Sequence, residues 1–197
     1  MDRLKDKIAL VTGAGSGIGQ ACAEVYAEEG AKVVVNDING EPAERVAAGI
    51  RDRGGVAIAC QGDVSVAADA TRMVEAAVAE WGRIDILHYN VGVSIAGGDA
   101  PPTEITEAAF DNIVAINLRG AVMACKHALP VMRSQKSGVI LMISSLAAIE
   151  KYPYVTYKAT KAAMVAFTQQ VAIQNAEYGI RANVILPGLM DKIGRAH

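Results

Sequence analysis

Tyr157 and Lys161 stand four residues apart in Tyr157-Lys158-Ala159-Thr160-Lys161, where an alanine-rich stretch that reads as helix begins. That spacing puts both on one helix face, with Cβ atoms roughly 5–6 Å apart. An ammonium beside a phenol favours the phenolate and draws a tyrosine pKa down from its usual value near ~10. A tyrosine tuned in this way serves as general acid toward a carbonyl or general base toward an alcohol. Tyr154 and Lys158 repeat the spacing three residues upstream, so the pair alone does not choose its register.

The elements that must position this pair alternate regularly. Lys7 to Thr12 reads as a buried strand, a short apolar run ended by glycine. A helix follows over Gln20 to Glu29, then a valine-rich strand over Ala31 to Asn36. Glu41 to Arg53 reads as the second helix, stopped by Gly54-Gly55, and Val56 to Cys60 as strand three. Val66 to Trp81 is a helix with Met73, Val74, Ala77 and Val78 at helical spacing, and Ile84 to Tyr89 is strand four. Val93 to Thr106 is a loop carrying Gly97-Gly98 and Pro101-Pro102. Glu107 to Gln135 reads as one long helix with an interruption near Pro130. Strand five is Gly138 to Ile143, a loop covers Leu146 to Thr156, a long helix covers Tyr157 to Tyr178, and strand six is Ile180 to Leu186. Strands alternating with helices predict an open parallel α/β sheet, which binds ligands at the carboxyl ends of its strands.

Between the first strand and helix lies Thr12-Gly13-Ala14-Gly15-Ser16-Gly17-Ile18-Gly19. Its pattern is GxxxGxG rather than GxGxxG. Glycines allow a tight turn and a close approach of backbone to a pyrophosphate, which rests on the amides of the helix N-terminus. Asp37 closes the second strand, eighteen residues after Gly19. A carboxylate there accepts hydrogen bonds from a ribose diol and repels a 2′-phosphate. With Ser16 in place of a basic residue in the loop, the expected cofactor is NAD, and NADP is disfavoured.

The 197 residues fit a single domain, and 52% hydrophobic composition is enough for a sizeable core. A formal charge of -2 offers no basic field for nucleic acid or an anionic membrane. Cys22, Cys60 and Cys125 are odd in number and form no CxxC, so neither a disulfide framework nor a metal site is expected, and a reduced, cytoplasmic setting fits. The apolar run Ile8 to Val11 is too short for a signal h-region or a membrane span. A hydrolase reading has little support. Ser16 and Ser145 are not in GxSxG, and His88, His127 and His197 have no triad context.

Taken in order, these motifs resemble the short-chain dehydrogenase/reductase family from Lys7 to Gly188. The resemblance implies a Rossmann-like, doubly wound parallel sheet with helices on both faces. It carries the first motif onto Gly13, Ser16, Gly17, Ile18 and Gly19, and the adenine contact onto Asp63 and Val64. The family's Asn-Asn-Ala-Gly is Tyr89-Asn90-Val91-Gly92 here, retaining Asn90 and Gly92. Asn117 matches the helix asparagine that in the family holds a relay water. Ser145, second of the pair Ser144-Ser145, is the expected catalytic serine. Ser144 keeps the family's common thirteen-residue spacing to Tyr157, whereas Ser145 lies twelve away. Tyr157, Lys161 and the following Ala162-Ala163 match the family's tyrosine motif, and this context selects Tyr157 over Tyr154. Pro187-Gly188 matches the turn after strand six.

The implied reaction is hydride transfer between the nicotinamide and a secondary alcohol or ketone. Tyr157 moves the proton, Ser145 holds the substrate oxygen, and Lys161 binds the nicotinamide ribose and lowers the tyrosine pKa. Candidate substrates are cyclic alcohols, polyols and 3-oxoacyl thioesters. The resemblance also implies a homodimer or homotetramer, with Met164, Val165, Phe167 and Val171 in its interface or in the core. The family usually continues into a substrate lid and a further strand, and has threonine where this chain has Lys192. The expectation is therefore a single domain lacking lid and last strand. The competing expectation is a nucleotide-binding or interaction remnant without turnover.

Overall fold

The computed structural model describes residues 2–188; the expectation about position 192 lies outside them. The described residues build one six-stranded sheet, parallel throughout. Its strands are β1 (Ile8–Val11), β2 (Lys32–Asp37), β3 (Val56–Gln61), β4 (Ile86–Tyr89), β5 (Gly138–Ile143) and β6 (Ile180–Ile185). Their order is β3-β2-β1-β4-β5-β6. All four residues of β1 are buried, as the short apolar run at the centre of a two-sided sheet requires. Val11 sits in register with Val35 of β2 on one side and His88 of β4 on the other.

The order reverses direction between β1 and β4. Right-handed crossovers running opposite ways from that point put helices on opposite faces. Helices α1 (Gly17–Glu28) and α2 (Gly40–Asp52) cover one face, packing Ala23, Val46 and Ile50 on Val33 and Val35. On the other face lie α3 (Ala67–Trp81), α4 (Glu107–Val114), α5 (Gly120–Gln135) and α6 (Val155–Asn175). There Met73, Met132 and Met164 meet Leu10, Leu87 and Ile140. Met164 and Val171 belong to this core. The run Glu107–Gln135 is long and apolar enough to cross a membrane by length and composition. In this fold its buried residues, among them Ala121, Ala124, Cys125 and Ala128, pack in the core on this face.

Among the differences from expectation, three bear on the site. Helix α1 begins at Gly17 instead of Gln20, so the glycine loop itself supplies its first turn. Helix α6 begins at Val155 instead of Tyr157, which makes Tyr157 its third residue. The interruption expected near Pro130 is a π turn at Ala115–Arg119, and α5 runs through Pro130. The π turn is anchored from outside the helix: the Tyr89 hydroxyl donates to the Ile116 carbonyl. Such turns expose backbone groups to side-chain partners and recur at functional sites.

Candidate active site

The candidate site is assembled at the carboxyl ends of all six strands. After β1, Gly13 adopts φ 62°, and a Cβ on Gly19 would lie 2.2 Å from the Gly13 carbonyl oxygen. No side chain larger than hydrogen fits at Gly19. At Gly17, φ is 58° and no heavy atom lies within 4 Å of where a Cβ would stand. Ser16 precedes α1 in extended conformation and makes no side-chain cap, so no side chain occupies the first-turn amides of Gly17, Ile18 and Gly19. Asn90, after β4, ties the loop down: its N–H donates to Thr12 Oγ1 at 3.1 Å and its Nδ2 to the Gly13 carbonyl at 3.3 Å.

Asp37 ends β2 with both carboxylate oxygens engaged, accepting from Gly15 N and Asn39 N at 3.0 Å each. Arg45 of α2 donates to the Gly15 carbonyl at 2.9 Å. After β3, Asp63 Oδ1 accepts from Ser65 N and Oγ, at 2.8 and 2.7 Å. Val64 beside it is buried. A cleft lined by Ile38, Gln61, Gly62, Asp63, Asp69 and Arg72 opens at this end.

At the opposite end, Gly92 lets the Lys161 ammonium approach: a Cβ there would sit 2.7 Å from Nζ. Lys161 is 2% exposed, and its Nζ donates to the Ile143 carbonyl at 2.7 Å. Burial lowers its pKa to about 8. The ammonium lies 5.5 Å from the centroid of the Tyr157 ring. Ser144 and Ser145 diverge. Ser144 is buried and its Oγ donates to the Lys161 carbonyl at 2.7 Å. Ser145 accepts from Ala147 N at 3.1 Å, and its hydroxyl is near enough to the Tyr157 phenol to hold that group's pKa down. The structure thus brings Ser145, and not Ser144, to the phenol. Leu146 N donates to the Pro187 carbonyl at 3.0 Å, and Gly188 lies against the Leu146 side chain, so the turn after β6 borders the same loop.

The electrostatics of Tyr157 differ from the expectation. Burial raises its pKa above the ordinary phenol value; the Ser145 hydroxyl opposes the rise and the nearby Tyr152 phenol adds to it. Lys161 is turned toward the Ile143 carbonyl, and a partly desolvated phenol keeps its proton. The rival pair separates altogether. Tyr154 precedes α6 as its N-cap residue, and Lys158 Nζ donates to the carbonyls of Ala147 and Glu150, at 3.0 and 2.6 Å.

Asn117 lies in the π turn and is fully buried. Its side chain joins two elements: Oδ1 accepts from Val93 N at 2.8 Å, and Nδ2 donates to the Val93 carbonyl at 2.9 Å and to Thr160 Oγ1 at 3.1 Å.

A family model for short chain dehydrogenase matches residues 7–194. The chain belongs to that family. This short-chain dehydrogenase is accordingly one of the oxidoreductases. It is 39% identical, over 95% of its length and 73% of the relative's, to an uncharacterized oxidoreductase of Thermotoga maritima. It is 38% identical to the cis-4-hydroxycyclohexanecarboxylate dehydrogenase of Sinomonas cyclohexanicum, over 94% of this chain and 74% of that one. A solved 7α-hydroxysteroid dehydrogenase, complexed with NADH and 7-oxo glycochenodeoxycholic acid, superposes with a TM-score of 0.89 at 35% identity. That match covers 94% of this chain and 72% of the other. Family and fold together point to a nicotinamide cofactor.

Several residues that shape the site of this short-chain dehydrogenase carry no motif. Tyr89 departs from the family's asparagine, and its hydroxyl occupies the space over Gly120, so close that a Cβ there would collide with it. Lys158 holds the loop that carries Ser145 and Leu146. Asp99, 7% exposed in the glycine-rich loop after β4, accepts four hydrogen bonds. Nothing in the sequence sets it apart from Glu104 in the same loop.

Proposed function

We propose that this short-chain dehydrogenase uses NAD to interconvert a ring-borne secondary alcohol and its ketone, with Tyr157 as general acid and base. The observation that carries the reading is the meeting of Tyr157, Ser145 and Lys161 beside Gly92, at the end of the crevice that starts at the glycine loop. In alcohol oxidation Tyr157 takes the hydroxyl proton while Ser145 holds the oxygen. In reduction Tyr157 gives the proton back to the oxygen, and Ser145 again holds that oxygen. The Lys161 ammonium has three donors and spends one on Ile143, which leaves two for a ribose hydroxyl or an ordered water. Asn117 braces this end by fixing the Val93 backbone to α6.

The residues present fit a dinucleotide. First-turn amides without a side-chain cap, open space at Gly17 and the forced close packing at Gly19 suit a pyrophosphate on Gly13, Ser16, Gly17, Ile18 and Gly19. Asp63 and Val64, beside the cleft at Ile38, would take the adenine. Asn90, Gly92, Tyr157, Lys161, Pro187 and Gly188 would take the nicotinamide half. When bound, NAD supplies or accepts the hydride at its nicotinamide ring. Asp37 supports NAD over NADP. Two backbone amides pin its carboxylate, and the nearby Arg45 is already engaged by Gly15, so a 2′-phosphate would face a fixed anion.

A ring substrate is favoured by what flanks Tyr157. The Tyr152 ring stands 5.3 Å from that of Tyr157 and 5.8 Å from that of Tyr154, and the adjoining turns expose Ile95 and Ile149. Relatives named for a hydroxycyclohexanecarboxylate and a hydroxysteroid support the same class. The test sets NAD titration beside NAD-dependent oxidation of cyclohexanol, cis-4-hydroxycyclohexanecarboxylate, 2-butanol and a 3-hydroxyacyl thioester. Ring alcohols should lead. Preference for the thioester would replace the substrate class, and NAD binding without any turnover would leave the nucleotide-binding remnant. Tyr157→Phe should lose roughly 10²–10⁴-fold in turnover and keep NAD affinity. Assembly as a homodimer or homotetramer is part of the proposal and is read by light scattering.

A further inference from the structure

The helix that carries Tyr157 does not cap itself. Its N-cap residue, Tyr154, offers no side-chain acceptor to the first turn. Three amides there need partners from elsewhere. All three find them in two residues more than fifty positions upstream. Val155 N donates to the Ala100 carbonyl at 3.3 Å, Thr156 N to Asp99 Oδ1 at 3.0 Å, and Tyr157 N to Asp99 Oδ2 at 2.9 Å. Asp99 is 7% exposed, and the carboxylate is itself held by Ala100 N at 3.1 Å and Ser94 Oγ at 3.3 Å. An anion at a helix N-terminus meets both the free amides and the positive end of the dipole, and such charge-assisted bonds are about twice as strong as neutral ones.

The bond to Tyr157 N falls on the residue whose phenol must meet the substrate oxygen. The same carboxylate continues through Ser94 to the Tyr152 hydroxyl, 2.9 Å from Ser94 Oγ. Tyr152 in turn packs its ring on Tyr157. The loop after β4 therefore grips Tyr157 twice, at its backbone through Asp99 and at its ring through Tyr152.

We propose that Asp99 is a positioning residue for the reaction, setting the place of Tyr157 through the first turn of α6. The inference rests on Tyr157 being the proton-transfer group. Asp99 touches neither substrate nor nucleotide in this role. It fixes where the phenol stands and contributes nothing to the glycine loop, so its loss appears in turnover and not in nucleotide affinity.

The test measures Asp99→Asn, Asp99→Ser, Tyr157→Phe and the double variant Asp99→Asn/Tyr157→Phe, with cyclohexanol and NAD. Asp99→Asn should lower kcat about 10–100-fold, the scale of an ångström-level misplacement, with the NAD dissociation constant within about twofold. Asp99→Asn keeps one acceptor oxygen at full reach, whereas Asp99→Ser ends one atom short, so Asp99→Ser should lower kcat at least as far. If Asp99 acts through the phenol, adding Asp99→Asn to Tyr157→Phe should change the residual rate less than about twofold. An Asp99→Asn protein with parental kcat overturns the inference. So does one that lowers the residual rate of Tyr157→Phe by the full factor, or variants at this position that weaken NAD binding as much as turnover. Full activity in Tyr157→Phe would instead overturn the reading beneath it.

Discussion

The Lys161 ammonium donates to the Ile143 carbonyl at 2.7 Å and stands 5.5 Å from the Tyr157 ring centroid. The phenol is thus governed first by its own burial, which raises its pKa, and its proton is harder to remove than the four-residue spacing implies. Alcohol oxidation needs the phenolate. Its kcat/KM should therefore climb with pH through the alkaline range, while ketone reduction, which needs the phenol, stays level until the same group ionises. Lys161→Met removes the ammonium 5.5 Å from the ring centroid and should move the oxidation limb to still higher pH. Paired pH–rate profiles in the two directions read both shifts.

The two adjacent serines should separate cleanly. Ser145→Ala removes the hydroxyl that meets the phenol and should cost on the order of 10²-fold in kcat with little change in melting temperature. Ser144→Ala leaves the buried Lys161 carbonyl without that donor and should cost about 1–3 kcal/mol of stability, with a smaller effect on turnover. Denaturant melts alongside steady-state kinetics distinguish the two.

Nucleotide affinity should be most sensitive at Gly19. An alanine methyl there would drive into the Gly13 carbonyl at 2.2 Å, a contact that only a shift of the loop relieves. Gly19→Ala should abolish saturable NAD binding by calorimetry while the far-ultraviolet circular dichroism keeps its α/β signature. Asp37→Ser should lower NAD affinity and narrow the gap to NADP, because it removes the fixed anion.

Stability should carry a signature of His88. The ring is buried on β4, hydrogen-bonds Tyr26 through Nδ1 at 3.0 Å, and has no partner at Nε2 among the described residues. Burial lowers its pKa from 6.5 to about 4. The unfolded chain therefore takes up the proton first as pH falls. The contribution of neutral His88 is complete above about pH 6.5 and is lost progressively toward pH 4, on the order of 2–3 kcal/mol. Urea melts between pH 4 and 7 should show this slope, and His88→Gln should flatten it.

Much of this molecule was legible because its signals are local. The glycine run, Asp37 and the tyrosine motif each declare themselves within a few residues, and strand runs bounded by glycine set the sheet. What stayed hidden depends on partners distant in the chain. Nothing near Ile116 announces a π turn, because Tyr89, on another strand, holds its carbonyl. Pro130, the obvious local breaker, is accommodated. Asp99 has no helical periodicity and no motif, and its meaning exists only once α6 is laid against it. The orientation of Lys161 was equally out of reach, since it follows from a carbonyl at the end of β5 and not from the i, i+4 relation.

The π turn at Ala115–Arg119 touches both ends of the crevice. Asn117 reaches Val93 and Thr160 at the proton-transfer end, while Arg119 donates to the Ser65 carbonyl at 2.7 Å at the adenine end. A π turn amounts to one residue inserted in a helix, and one residue is about 100° of rotation. Excising Leu118 would restore an ordinary helix and swing Asn117 and Arg119 out of phase with each other. A length change of one residue, far from the reacting atoms, would then register as two faults at once, and no point substitution at either end could repair both.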